Sequence, residues 1–395
     1  MTEVETVLRE LAPRVLAVLV KRYGQFDQCE DAVQEALLAA ALQWPTEGVP
    51  ANPTGWLVTV AGRRWTEQWR SDQARRRREA AFSREETPEV SGDDDELTLF
   101  LLCCHPALSV ASQVALTLRA VGGLTTAEIA RALLVPESTV GQRISRAKQQ
   151  IRNAGTRFEL PPPDQLPARV AAVRQVLYLI FNEGYTASSG PALHRVQLTA
   201  EAIRLTRQLH ARRPGDGETA GLLALMLLTD ARRAARTGPD GALVPLEEQD
   251  RTRWDAEAIA EGTALIEDAL GTTEVGPFQL QAAIAAVHDE ATSAAGTDWP
   301  QILVLYDLLV TVAPGPMATL GRIVALSMVD GPVAGLRALT DAEDALKGHH
   351  RLHAVRAHLL DRAGDHEAAR AEYEVAARRT LSAPEQRYLW DRSRR

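Results

Sequence analysis

Residues 124–151 read LTTAEIARALLVPESTVGQRISRAKQQI, and the fold of the N-terminal part turns on this stretch. Thr125-Thr126-Ala127-Glu128 has the spacing of a capping box, in which a threonine hydroxyl caps a helix and the glutamate three residues on reaches back. Ile129, Ala130 and Leu133 follow on one face, and Leu134-Val135-Pro136 breaks the chain, with leucine where such turns commonly carry glycine. A second helix is predicted from about Glu137 to Arg152. Val140, Ile144, Ala147 and Ile151 recur at helical spacing and make its buried stripe. The opposite face carries Ser138, Gln142, Arg143, Arg146, Gln149 and Gln150. Residues 137–157 hold five basic side chains against one acidic. An apolar stripe that docks the helix, with Arg and Gln opposite to reach guanine and adenine edges, is what a major-groove reader needs. A plain helical hairpin with a solvated basic face is the competing reading.

This hairpin closes a predicted helical unit over residues 97–157. Before it, residues 79–96 contain eight acidic side chains and one basic, with Thr87-Pro88, Ser91-Gly92 and Asp93-Asp94-Asp95-Glu96. Such a segment cannot build a core and reads as a flexible acidic linker. Residues 1–78 read as three or four helices: Val4 to Tyr23, ending at Gly24; Asp27 to Gln43, ending before Trp44-Pro45; and one starting near Pro53. The third runs through Trp56, Val60, Trp65 and Trp69 into Arg75-Arg76-Arg77-Arg78. Residues 63–78 hold seven basic side chains against two acidic, with Trp65 and Trp69 one turn apart. Rings interleaved with arginines suit single-stranded DNA, because bases stack on the rings and guanidinium groups bind phosphate. Taken singly, each tryptophan reads as core; the nucleic-acid reading rests on the combination.

Composition sets the wider frame. The chain has 395 residues, 45% hydrophobic and only 5% aromatic, rich in Ala and Leu, so the expected class is all-α in two or three domains. Net charge is −8; residues 1–160 hold 19 Lys/Arg and 21 Asp/Glu, and residues 161–395 hold 25 and 31. Any DNA contact therefore comes from local basic patches. No signal-peptide pattern and no long uncharged apolar stretch is present, and Cys29, Cys103 and Cys104 are odd in number. A reduced, cytoplasmic chain with no membrane partner is expected. No nucleophile–base set, phosphate loop or paired carboxylate motif is present, so no enzyme activity and no cofactor is expected.

The two patches, in this order with an acidic linker between, resemble the sigma-70 family, in its minimal two-domain extracytoplasmic-function type. The resemblance covers about residues 5–155. In that family the second helix of domain 2 docks on core RNA polymerase through a D-A-x-Q-E pattern. Here it stands as Asp31-Ala32-Val33-Gln34-Glu35, followed by Ala36, Leu37 and Leu38. The resemblance implies Asp31, Gln34, Glu35 and Leu38 as polymerase-binding residues. It implies Asn52, Trp56, Arg63, Arg64, Trp65, Trp69, Arg70, Arg75 and Arg76 as the group that opens and captures the −10 promoter element. It places Ser138, Thr139, Gln142, Arg143, Arg146 and Lys148 on the −35 element, within Thr139 to Lys148 of the recognition helix. Domain 2 is then 1–78 and domain 4 is 97–157. The partners implied are core RNA polymerase and promoter DNA.

Leu160-Pro161-Pro162-Pro163 marks a further boundary, and residues 165–395 read as helical throughout. Val329 to Leu336 and Ala363 to Arg370 look alike at a spacing of 34 residues, the tetratricopeptide (TPR) period. In the second copy Gly364-Asp365 turns the chain, Ala369 is the small crossing residue, and Tyr373 and Ala376 follow. Leu177 to Tyr185, LYLIFNEGY, resembles the signature of a sigma-factor subgroup with a C-terminal TPR-like extension. That resemblance implies a regulatory domain open to a protein or peptide partner. Asn182, Glu183 and Tyr185 either close the first helical hairpin of the extension or line a ligand pocket, the former being favoured. His349, His350, His353 and His358 read as a solvated helix start, not a metal site, and Cys103-Cys104 as buried core. The alternative function is a stand-alone helix-turn-helix regulator with a TPR-like sensor, and a third reading is a TPR-type adaptor.

Overall fold

The computed structural model of the chain describes residues 3–76, 93–133, 135–155, 158–238, 241–346 and 350–394. α1 (Glu3–Tyr23) ends at Gly24, whose φ of 72° is the left-handed conformation that glycine adopts without a steric penalty. α2 (Phe26–Glu47) runs past the predicted stop at Gln43. Pro45 sits in its last turns and removes one N–H, while buried Trp44 packs edge-on to Trp56 with ring centroids 5.5 Å apart. The Gly48 N–H then closes the helix on the Trp44 carbonyl at 3.0 Å. α3 (Pro53–Arg76) starts where predicted. Pro53 occupies the first helical position, and Asn52 caps the helix by accepting from the Gly55 N–H at 2.9 Å.

α4 (Asp93–Cys103) carries the apolar run 97–104, LTLFLLCC, and every residue of that run is buried. A helix that is apolar all round must be covered all round; α1 packs on one side of it and α5 (Val110–Ala120) on another. The expectation of a flexible linker through Glu96 is corrected here, since the helix begins at Asp93. Asp95 and Glu96 are buried and paired with α1: Lys21 Nζ lies 3.1 Å from Asp95 Oδ1, and Arg14 Nε 3.3 Å from Glu96 Oε1. Acids in a first helical turn also suit the positive end of the helix dipole. The rest of the predicted linker, with Arg77 and Arg78, lies outside the described residues.

α6 (Thr126–Leu133) and α7 (Glu137–Asn153) form the helix-turn-helix. The capping box is made as its spacing predicts: the Glu128 N–H donates to Thr125 Oγ at 3.2 Å, and the Thr125 N–H to Glu128 Oε2 at 2.7 Å. Val140, Ile144, Ala147 and Ile151 are all buried. Leu134 lies outside the described residues. α8 (Leu166–Tyr185) follows, and the chain divides into two compact units inside it, Met1–Leu179 and Ile180–Arg395. The dividing point is later than the proline run suggests. Arg169, in the first turn of α8, donates to the Leu101 carbonyl of α4 at 2.6 Å and so belongs to the first unit.

The second unit contains a two-residue strand β1 (Ser189–Gly190), then α9 (Val196–Arg212), α10 (Gly217–Ala231), α11 (Ala256–Thr272) and α12 (Pro277–Glu290). α13 (Trp299–Val312), α14 (Pro316–Asp330), α15 (Pro332–Asp341), α16 (Glu343–Leu346), α17 (His350–Arg362), α18 (His366–Arg379), β2 (Leu381–Ser382) and α19 (Ala383–Arg394) complete it. The segment that resembled itself at 34 residues is a helical hairpin corner in both copies. The corners turn at Gly331 and Gly364, with φ of 89° and 87°. These glycines are 33 residues apart, so the two hairpins agree in architecture and slip by one in register. Ala369, Tyr373 and Ala376 are buried on α18. Unlike a stack with free ends, this unit is tied at both ends: β1 pairs in parallel with β2, Ser189 opposite Leu381 and Gly190 opposite Ser382.

α10 is the most buried helix of this unit and packs on α9, α11 and α12. Its approach to α12 needs Gly221, where a Cβ would stand 2.7 Å from the Gln279 backbone nitrogen. One helical turn earlier, Glu218 accepts from the Phe278 and Gln279 N–H groups at 3.0 and 3.1 Å and caps α12 from a neighbouring helix. Glu218→Ala therefore costs about 1–2 kcal/mol, the range of a lost helix cap. Chemical denaturation checks this; an unchanged midpoint contradicts the cap.

Candidate polymerase and promoter interfaces

α2 has two unlike faces. Cys29, Ala32, Val33, Ala36, Ala40 and Trp44 are buried, while Asp31, Glu35, Leu38 and Leu42 recur at helical spacing on the exposed side. Leu38 and Leu42 are 63% and 71% exposed, large values for leucines on a helix already anchored by its other face. Gln34 is half-buried at the edge of this stripe. Two acids followed by two exposed leucines along one face leave a strip that is charged at one end and apolar at the other, a pattern suited to docking a partner. Leu42 was not singled out from the sequence, although it lies four residues beyond Leu38.

α3 runs alongside α2, and Arg64 Nε lies 3.6 Å from Glu35 Oε2. Arg63 and Arg64 are exposed. Asn52 spends its side-chain oxygen on the helix cap. Trp56 is half-buried against Trp44, and Trp65 stacks on Tyr23 with centroids 3.9 Å apart and planes 13° apart. One face of Trp65 is thus taken by the protein itself, as the core reading of a single tryptophan expects. Trp69, Arg70, Arg75 and Arg76 lie on the last turns of α3, where the backbone alone is described.

On α7 the residues expected to read bases fall into two groups. Ser138, Gln142 and Arg146 are exposed, and Thr139 and Arg143 are half-buried beside them. Lys148 is elsewhere. It is buried, nearly a third of a turn away around the helix, and its ammonium lies 2.7 Å from Glu30 Oε2, 3.1 Å from Asp31 Oδ1 and 3.2 Å from Asp27 Oδ1. Burial disfavours the charged ammonium, but Glu30 and Asp31 outweigh it and raise its pKa. Glu30, itself buried, takes a second cation on its other oxygen, Arg119 Nε of α5 at 2.7 Å. Arg152 Nη1 adds a pair to Asp27 at 3.2 Å, and Arg9 of α1 pairs with Glu128 of α6 at 3.2 Å. Asp27, Glu30, Arg119 and Arg152 went unnoticed in the sequence. A buried glutamate one position before the exposed Asp31 is the signal that the 3.6-residue period holds for it.

The remaining motifs have structural placements. Glu183 ion-pairs with buried Arg195 and accepts from Ser188 N and Oγ at 3.3 and 3.2 Å. The Tyr185 carbonyl accepts from Arg236 Nη1 at 2.6 Å, and the Arg236 guanidinium stands 3.6 Å from the Tyr185 ring centre. The Asn182 carbonyl accepts from the Thr186 N–H at 2.9 Å. At Gly184 a Cβ would lie 2.6 Å from the Thr199 nitrogen, so the glycine lets α8 and α9 close. These residues close the first hairpin of the second unit. Cys29, Cys103 and Cys104 are buried free thiols. Burial pushes Cys29 and Cys104 up to about 12, so their thiolate forms are disfavoured. His353 pairs with Glu372 at 2.7 Å, and His358 is pushed down by burial. Among the described residues no group of His, Cys, Asp and Glu is arranged to hold a metal ion, and no helix is long and apolar enough to cross a membrane.

Comparison with known proteins agrees with this geometry. Residues 7–76 match the family described as Sigma-70 region 2, and residues 101–151 the family described as Sigma-70, region 4. Residues 169–270 match a family of unknown function, DUF6596. A Rhizobium meliloti (strain 1021) protein, Uncharacterized protein R00370, is 37% identical over 401 residues, covering 98% of this chain and 94% of that protein. No solved structure matches the chain. The region 2 match contains the two-faced α2 and the basic α3, and the region 4 match ends on the helix-turn-helix. The chain therefore carries sigma-70 region 2 and region 4 domains ahead of a DUF6596 domain, and the two sigma domains, which belong to a non-enzymatic family, imply a sigma-factor role in transcription initiation with core RNA polymerase and promoter DNA as partners.

Proposed function

We propose that this sigma factor is of the extracytoplasmic-function type, docks on polymerase through α2, reads −10 DNA with α3 and −35 DNA with α7, and is controlled by its C-terminal helical unit. The observation that carries the docking assignment is the exposed stripe Asp31, Glu35, Leu38 and Leu42 on a helix held firmly by its opposite face. The minimal type is supported by spacing. Only residues 77–100 separate the two sigma matches, too few for a further folded domain between them. The TPR-like reading of the second unit is supported by the hairpins α14–α15 and α17–α18, with the small and large residues Ala369 and Tyr373 at their crossing. The unit holds an excess of acids, and its favoured role is positive: it keeps regions 2 and 4 productive on polymerase. Masking of the basic patches is the second role.

Glu35→Ala combined with Leu38→Ala is expected to weaken core polymerase binding at least tenfold, since two exposed contacts at the centre of an interface each contribute about 1–2 kcal/mol. Melting should be unaffected, because both side chains are exposed. Undiminished co-purification with core enzyme would remove α2 as the docking face. For promoter reading, Arg146→Ala is expected to relax base preference at one −35 position by about 1–3 kcal/mol. A promoter-library selection reads this directly, and identical preferences for wild type and variant contradict it. Ending the chain after Leu179 separates the two roles of the second unit. Lost transcription with retained core binding supports the positive role, raised transcription supports masking, and unchanged transcription contradicts both.

A further inference from the structure

A cavity of about 310 Å³ opens near the C-terminal end of the second unit, where α17, α18 and α19 meet. Asp361 of α17 and Arg392 of α19 line it, together with one face of α18: His366, Ala369, Arg370 and Tyr373, at i, i+3, i+4 and i+7. We propose that this cavity binds the phosphate group of a small phosphate monoester, held between Arg370 and Arg392.

The charged groups of the cavity are set for an anion. Asp361 is the one acid among the six lining residues, and both of its oxygens are engaged: Oδ1 takes His366 Nδ1 at 2.8 Å, and Oδ2 takes Arg392 Nη2. An acid shared between two donors offers little to a cationic ligand; it orients His366 and Arg392 instead. Tyr373 is buried, and its hydroxyl also bonds Arg392. A guanidinium carries five N–H donors in a fixed fork, so these two partners leave Arg392 donors to spare. Arg370, one turn of α18 beyond His366, brings the second guanidinium. Two arginines against one acid make the cavity cationic before His366 is counted. The donors come from α19 and from three successive turns of α18, so they approach a ligand from several directions. That suits the tetrahedral oxygens of a phosphate better than the planar pair of a carboxylate, and arginine is well matched to phosphate. α18 also begins at His366, which puts the positive end of its dipole at the cavity. Pockets for small ligands start at about 300 Å³, so the space admits a phosphate with a short carbon skeleton. Charge is segregated along the sequence to match. Residues 350–395 hold ten Arg and seven Asp/Glu, whereas residues 161–349 hold fifteen Lys/Arg and twenty-four Asp/Glu. An anion approaching this acidic unit is therefore drawn to its last three helices. Because α19 follows β2 directly, a phosphate bridging Arg370 and Arg392 clamps α19 onto α18 beside the strand pairing that ties the unit together.

Isothermal titration of the full-length chain with inorganic phosphate at constant ionic strength tests this, with sulfate and acetate as comparison anions. Phosphate and sulfate should bind and compete for one site, and acetate should bind about tenfold more weakly or worse. Arg370→Gln should weaken phosphate about tenfold or more, the effect of losing one charge-assisted pair. Arg379→Gln, half a turn away around α18, should leave the affinity unchanged. Arg370 and Arg379 are both exposed, so neither substitution should shift melting in chloride. Tyr373→Phe keeps the buried ring, removes the hydroxyl that holds Arg392, and should weaken phosphate without unfolding the chain. Absence of phosphate binding, or equal affinity in wild type and Arg370→Gln, overturns the site. An equal loss in Arg370→Gln and Arg379→Gln shows diffuse surface attraction and overturns it as well. Acetate binding as tightly as phosphate overturns the ligand class.

Discussion

The first unit is organised around one buried carboxylate. Glu30 sits on the inner side of α2, immediately after its first turn, with Arg119 on one oxygen and Lys148 on the other. A buried charge left unpaired costs about 3–5 kcal/mol, so the placement of Glu30 obliges the chain to bring two cations to it. Both come from region 4, one from α5 and one from α7. The same acid thus fixes where the helix-turn-helix rests, and with it which face of α7 is free. Ser138, Gln142 and Arg146 remain exposed because Lys148 and the apolar stripe are what region 4 turns inward.

Most of the secondary structure was legible because it rests on local chemistry. The capping box at Thr125 and Glu128, the start of α3 at Pro53, the buried stripe of α7 and the glycine that ends α1 depend on a few residues near in sequence, and each forms as read. α2 outran its predicted end because the burial of Trp44 overrides the break that Trp44-Pro45 suggests. The start of α4 was missed for a related reason. Asp93 to Glu96 look like linker when counted as charges, and become helix once Lys21 and Arg14, more than seventy residues earlier, supply partners. No window of the sequence contains that information.

The functional residues divide along the same line. The exposed face of α2 follows from helical period plus resemblance, and Leu42 extends it by the same period. Lys148 looked like another basic residue on a basic helix. Its burial is a tertiary fact, set by three acids that lie more than a hundred positions away. Trp65 shows the value of the plainer reading, since Tyr23 occupies one face of its ring. In the second unit, periodicity found two hairpins, but it did not reveal that β1 and β2 tie the start of the unit to its end. The pairing of two-residue strands leaves no trace in hydropathy. Closure of this kind fixes the ends of a helical array that would otherwise fray and gives it one defined surface.

The central claim is that this chain gives polymerase its promoter choice, and does so as a sigma factor and not as a duplex-binding regulator. Transcription reconstituted from purified core enzyme and the full-length chain on a randomised promoter library tests it most directly. The account predicts initiation that depends wholly on the added chain and selects templates with two elements at fixed spacing, with little duplex binding by the chain alone. Tight, sequence-specific duplex binding without polymerase, together with no chain-dependent initiation, would contradict it.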